Sequence, residues 1–411
     1  MLTKINIKLL LLATGLLGIN LIPVKGQIIA GQDSSRRVIT TAVPFLMIAP
    51  DARSGAMGEA GGAISPDANA VHWNAAKLAF IESEIGFAIS YTPWLGNIVK
   101  DMSISYLSGY YKITREQAVA LSLRYFDLGD IFFTDIFGTP NGDFNPREVS
   151  IDGTYSRMLT ENFSIGGTAR YVYSNLTGHF SSASTGIEAR PGSSFAVDLA
   201  VFYKKDLLLS GSNSNLAFGA SISNIGSKLS YSSEDNKDFI PTNLRLASAF
   251  TTNLDPYNSI TFALDLNKLL VPSPPIYEFD SDGKLVVDAN NNPVIKDGKN
   301  PDRSLLSGVF GSFSDAPDGF REEIKEFTVS MGVEYWYNNI FAARAGYFLE
   351  AEEKGNRKFF TIGVGFRYQV FGIDFAYLVP QEQSNPLAET LRFSLIFNFD
   401  KYVADTESVT D

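Results

Sequence analysis

From Phe163 to Tyr173 the chain alternates strictly. Phe163, Ile165, Gly167, Ala169, Tyr171 and Tyr173 fall on one side of an extended segment, and Ser164, Gly166, Thr168, Arg170 and Val172 on the other. A period of two is strand geometry, because successive side chains of an extended chain point to opposite faces. Phe360–Tyr368 and Leu391–Phe399 repeat the pattern, and about fourteen segments carry it, near 84–91, 102–112, 117–126, 148–159, 163–173, 194–203, 215–223, 244–252, 259–267, 326–337, 340–348, 360–368, 371–378 and 391–399. Arg124, Arg170, Arg245, Arg344, Arg367 and Arg392 alternate out of phase with the aromatics, as do Asp152, Asp198, Asp265, Glu334 and Asp374. Each strand therefore has one greasy and one polar side. If the greasy side faces lipid, the charges must point into a barrel, since Arg or Lys on the lipid face costs about 2–4 kcal/mol at mid-membrane.

The connections separate a barrel from a soluble sandwich. Thr160–Asn162, Asn338-Asn339 and Gln369-Val370 are short, whereas 127–147, 174–193, 224–243, 268–325, 349–358 and 379–390 are long. In strand order the long ones all fall at one end, as in bacterial outer-membrane barrels with short periplasmic turns and long outer loops. Lys204–Asn215 departs from this, reading as a long turn at the short end. An even strand number returns both termini to the periplasmic side. The expected fold is all-β, a transmembrane antiparallel barrel of about fourteen strands.

Composition agrees. Mean hydropathy is near zero, because alternation hides apolar residues from a running average; aromatics reach 13%, material for lipid contacts and interfacial girdles. The formal net charge of −11 excludes a nucleic-acid partner, which needs a basic stripe. There is no cysteine, hence no disulfide, thiol chemistry or lipidated N-terminal Cys. Met1–Gly26 reads as a secretory signal: Lys4 and Lys8, then the apolar Leu9–Val24, with cleavage expected after Gly26. The organisation expected is signal peptide 1–26, N-terminal segment and plug 27–80, barrel 81–400 and a periplasmic tail 401–411.

Between Pro50 and Phe80 lies PDARSGAMGEAGGAISPDANAVHWNAAKLAF, rich in Gly and Ala and ahead of the first strand. Small residues pack closely against backbone, so this stretch is expected to fill the lumen as a plug, with Arg53, Met57, Glu59, Asp67, His72, Trp73 and Asn74 as its notable side chains. The run Ala52–Gly61 (ARSGAMGEAG) followed by Ser65–Asn74 (SPDANAVHWN) resembles the N-terminal segment of the PorV family of the Bacteroidetes type IX secretion system, whose fold is similar to that of FadL-like barrels with a hatch. Asn74-Ala75-Ala76 stands where the wider family carries Asn-Pro-Ala. The resemblance implies an outer-membrane, surface-looped adaptor, not an enzyme. Its implied partners are a giant SprA/Sov-like translocon barrel, secreted cargo with C-terminal signal domains, a sortase-like attachment complex and outer-membrane lipids. The alternative is a FadL-like transporter of hydrophobic small molecules.

No catalytic constellation stands out, and no cofactor or metal is expected. His72 and His179 are the only histidines; Asp280, Asp282 and Asp288 lack the spacing of a calcium loop. The aromatic and aliphatic residues of the long loops, Trp94, Phe132, Phe133, Phe137, Leu305, Leu306, Phe310 and Phe313, are the candidate partner surface, since exposed apolar clusters mark interaction sites. The longest connection breaks at Pro272, Pro274 and Pro275 and then turns apolar at Leu305–Phe310, so it packs either on the barrel mouth or on a partner.

Overall fold

The computed structural model describes residues 37–95, 99–134, 137, 139–176, 190–209, 211–231, 237–282, 284–290, 292–381 and 390–399. The signal segment, His179 and the C-terminal tail lie outside the described residues.

Strands β1 (Ile85–Pro93), β2 (Ser103–Thr114) and β3 (Gln117–Asp127) open the chain's wall. A hairpin, β4 (Ile131–Thr134) with β5 (Pro140–Phe144), stands in the next connection. The wall resumes with β6 (Arg147–Thr160), β7 (Phe163–Asn175), β8 (Gly192–Leu209), β9 (Ser212–Gly226), β10 (Asn243–Asn253) and β11 (Asn258–Leu269). The longest connection holds the short ribbon β12 (Ile276–Tyr277) and β13 (Ile295–Asp297), and two helices, Leu305–Gly311 and Phe320–Lys325. Then come β14 (Phe327–Tyr337), β15 (Phe341–Leu349), β16 (Lys358–Tyr368), β17 (Phe371–Pro380) and β18 (Leu391–Phe399). Among the described residues, fourteen strands pair antiparallel with their neighbours, and β18 closes on β1 from Ile85↔Phe399 to Tyr91↔Phe393.

The alternation sets which way each side chain points. Leu121, Phe195, Leu199 and Ile362 stand out from the wall, while Arg124, Arg170, Asp198 and Asp265 are buried inside. No helix among the described residues is long and apolar enough to cross a membrane.

The short turns are 115–116, 161–162, 210–211, 254–257, 338–340 and 369–370, all at one end; the long connections are all at the other. The expected long turn over Lys204–Asn215 is corrected. Lys204, Lys205 and Asp206 interrupt the apolar alternation but not the ladder, which continues through Lys204↔Ala217 and Asp206↔Asn215 to Leu209↔Ser212. Past Tyr203 the end of β8 is exposed on both faces, Lys205 and Asp206 standing beside Leu208 and Leu209. The 268–325 connection is also more ordered than a bare loop, having its own ribbon and helices on the barrel mouth.

The luminal segment enters from the long-loop end. Arg37 lies at the long-loop end, its backbone N–H donating to the Glu353 carbonyl (2.9 Å), and Ala42 N–H donates to Phe239 O (2.9 Å) in another long connection. Val43, Phe45 and Leu46 are buried there with Ile104, Phe126, Leu229 and Ile240. The chain then descends until Phe80 packs edge-on against Phe202 (5.5 Å) and Lys112 bonds the Ile81 carbonyl near the short-turn end, where β1 begins. The strands do start and finish at the short-turn end, but Arg37 does not.

Candidate functional site

The lumen is held by charges that the sequence pattern sends inward. Asp51 caps the Ala52–Gly55 turn, accepting from Ser54 N–H (2.9 Å) and from Trp73 Nε1 (2.6 Å). That cap aims Arg53 at the wall, where its guanidinium forks onto Glu334 (2.9 and 2.8 Å) and reaches Asp67 (3.2 Å). Glu334 and Arg344 are direct cross-strand partners at 2.7 Å; Arg344 continues to Asp374 (2.8 Å), which also takes Arg367 (2.6 Å). Bidentate arginine–carboxylate pairs combine charge with a fixed geometry, so this chain of ions orients the plug as well as neutralising it.

Backbone is captured as well. Asp265 accepts the N–H groups of Gly61 (3.0 Å) and Gly62 (2.8 Å). Arg245 donates to Trp73 O (2.8 Å) and lies 4.7 Å over its ring, and Lys77 donates to Gly61 O (2.6 Å). Arg124 donates to Phe45 O and Leu46 O (3.0 Å each) and touches His72 Nδ1 at 2.7 Å. Glu59 pairs with Arg392 (2.9 Å), and Asn74 spans from Val201 O to Ala76 N–H. Met57 is fully buried against Gly332 and Gly346. Gly58 has φ +66°, and a Cβ there would sit 2.6 Å from the Tyr347 backbone. The sequence-selected plug residues thus all meet inside the barrel, and Asn74 starts the Ala75–Phe80 turn without a proline.

One recess lies beside the plug and another on the outer face of the wall. At the short-turn end a cavity of about 460 Å³ is floored by Ala63, Phe80 and Phe202 and rimmed by Asp67, Lys204 and Asp206. On the outer wall a depression of about 360 Å³ lies among Ile151, Ala169, Tyr171, Phe195, Val197 and Ile225. Beside it β9 carries an irregularity at Asn224 (φ 58°).

At the long-loop end the Phe320–Lys325 helix is nailed down by buried ions. Lys268 meets Glu323 (3.0 Å) and Glu326 (2.5 Å); Lys354 meets Glu322 (2.6 Å) and Glu326 (2.9 Å); Ser273 donates to Glu326 (2.5 Å). Arg37 forks onto Glu322 (2.9 and 2.7 Å) and touches Asp318 (2.6 Å). Burial pushes the Glu322 carboxyl up, but the hydrogen bonds from Arg37, Lys354 and the Asp318 N–H outweigh it and hold it at about 2. The same bond to Glu322 raises Arg37 above its ordinary value.

With one helix face anchored, the other is bare: Phe320 is 79% and Ile324 55% exposed, and on the neighbouring helix Phe310 is 75% and Leu306 62% exposed, with Phe313 also out. Of the other loop candidates, Phe132, Phe133 and Phe137 are exposed on and beside the β4–β5 hairpin. Leu305 is half-buried, and Trp94 turns in against Phe126 (6.5 Å) to cover the plug. Asp280 and Asp288 cap their own turns, accepting from Asp282 and Lys284 and from Asn290 and Asn292. Sequence reasoning missed Phe320 and Ile324, whose i, i+4 spacing in FREEIK was the available signal, and Arg37, whose partners are about 285 residues away.

A family model described as "Type IX secretion system protein PorV" matches residues 31–276. A search of curated proteins finds no match. Among solved structures, the chain is similar to the Ralstonia pickettii toluene transporter TbuX (12% identity, 85% of this chain and 98% of that one, TM-score 0.44). It is similar also to the P. putida toluene transporter TodX (12%, 86% and 99%, 0.46) and to a Pseudomonas aeruginosa FadL homologue (12%, 89% and 100%, 0.41). These likenesses are distant.

Proposed function

Because the chain belongs to the family of type IX secretion system protein PorV, we propose that it is an outer-membrane adaptor of protein secretion: a barrel with its long loops at the cell surface that binds secreted proteins by their C-terminal signal domains at the translocon and delivers them to a sortase-like attachment complex. One observation carries the reading beyond family membership. The lumen is filled by a segment bonded to strands around the wall, while apolar side chains are displayed at the long-loop end. A conduit needs an open or movable centre; an adaptor needs a held surface. The exposed Phe310, Phe320 and Ile324 sit on a base of buried ion pairs, which suits a surface that must keep its shape between partners.

The test is to solubilise outer membranes gently, capture the tagged protein and identify what comes with it, beside a variant carrying Leu306→Ser, Phe310→Ser and Phe320→Ser. A very large barrel and secreted proteins sharing a C-terminal domain are expected with the wild type, and at least tenfold less of one or both with the variant. Recovery of the barrel alone, with an apolar small molecule in it, would replace the adaptor by a transporter.

A further inference from the structure

We propose that Arg37 is a strap residue, clamping the loop platform to the plug so that the surface offered to partners and the filling of the lumen are one rigid unit. The proposal rests on the adaptor reading for the identity of that surface, but the strap is a feature of the chain itself. Four contacts leave this one residue. The guanidinium forks onto Glu322, at the base of the Phe320–Lys325 helix, and reaches Asp318 just before it. The backbone N–H bonds Glu353 O, in the connection between β15 and β16. Lys354, next along, holds the same Glu322 from the other side at 2.6 Å. Glu322 is therefore the junction of three pieces of chain, Lys354 lying 32 residues from it and Arg37 285, and its side chain is only 4% exposed.

From Arg37 the chain passes through the exposed Val38 and Thr40 and reaches buried positions at Ala42. Ala42 bonds Phe239 O in a third long connection, Val43, Phe45 and Leu46 fill the mouth, and Asp51–Gly62 locks to the wall. A pull on the platform is thus transmitted through a few residues to a segment fixed by buried ions. An arginine suits this place, because its planar fork fixes both oxygens of one carboxylate and still leaves a donor for a second; a lysine is a point charge and fixes neither plane.

Two experiments decide it. The chain has no cysteine, so single introduced cysteines read cleanly. Val38→Cys, at a residue 43% exposed beside the strap, is compared on intact cells with Ser307→Cys in the platform and Glu161→Cys in a short turn, using a membrane-impermeant maleimide. Val38→Cys is expected to label with Ser307→Cys and not with Glu161→Cys; labelling with Glu161→Cys overturns the strap. If instead Ser307→Cys is shielded and Glu161→Cys labels, the orientation in the adaptor reading is at fault, and the strap stands or falls by whether Val38→Cys still follows Ser307→Cys.

The second experiment is added protease, following cleavage between Pro272 and Phe320. Arg37→Ala is expected to raise the cleavage rate about tenfold by freeing the platform to open locally, and Arg37→Lys to restore part of the protection. Partner capture should fall with Arg37→Ala and return in part with Arg37→Lys, while the barrel's melting temperature stays where it was. Wild-type protection in Arg37→Ala overturns the proposal. Should Arg37→Ala not assemble, Asp318→Asn, which removes a single exposed partner of the strap, is read in the same assay and must loosen the platform by a smaller factor.

Discussion

Arg53 and Glu334 show at residue scale what holds the plug. Both are buried, and removing Arg53 takes two of the bonds on Glu334 and leaves it only Arg344, so a buried carboxylate keeps its desolvation cost and loses much of its compensation. Arg53→Ala is expected to lower stability by about 3–5 kcal/mol, read as a shift in the urea midpoint of the micelle-embedded protein. Gly58→Ala should be as damaging for a different reason, because φ +66° disfavours any side chain and the Tyr347 backbone occupies the place a Cβ would need; failure to gain the heat-modifiable mobility of a folded barrel is the readout. Glu322 sets a pH limit at the mouth. Its carboxyl is held at about 2 against an ordinary 4.5, so the charged form is favoured by folding. The stabilisation is complete above about pH 4.5 and is lost as the pH falls towards 2. Protease sensitivity of the 270–326 connection should therefore be flat from neutral pH down to about 4.5 and rise below it; a transition near neutrality would contradict this assignment.

The strands and turns are the part of the molecule most fully written in local sequence. A strand needs only its own alternation, so each wall segment could be located from a few residues, and Asn338-Asn339 announced a tight hairpin. Both asparagines have φ 52°, the left-handed region that Asn enters at less cost than other side chains. Asn339→Gly should leave stability unchanged or slightly raised, whereas Asn339→Val should cost about 1–2 kcal/mol, measured by the same urea unfolding. The reading failed where a local rule was asked a non-local question. Lys204-Lys205-Asp206 looked like a turn because the period broke, yet the ladder to β9 does not depend on which side chains it carries. The plug could be recognised from its small residues, but not its path, because Arg37 declares nothing about Glu322 and Arg53 nothing about Glu334. Exposed loop aromatics were legible as a class; Trp94 shows that composition alone does not separate a side chain offered to a partner from one folded back on the mouth.

Taken whole, the molecule is a wall and a filling made for each other. Removing residues 52–80 would leave Asp265, Arg245, Arg392 and Glu334 facing an empty lumen, and charged linings admit water and ions. That deletion, if it inserts, is expected to conduct in planar bilayers, and the intact protein is not; a closed deletion variant would show that the wall collapses on itself. The direction of the luminal segment has a consequence for how the protein is made. Residues 52–62 precede every wall strand, yet they bond Glu334, Thr361, Arg392 and Ser394, which lie in the last five strands of the chain. Contacts so distant along the chain close slowly. The early segment must then wait, unpaired, until the final hairpins arrive to wrap it. Plug and wall therefore close together, since the strand that seals the cylinder, β18, is also the one that grips the core, through Arg392 and Ser394. Pulse-labelled chains truncated before Leu391 should accordingly have a plug open to proteolysis, and full-length chains should protect plug and seam together, in a single kinetic phase.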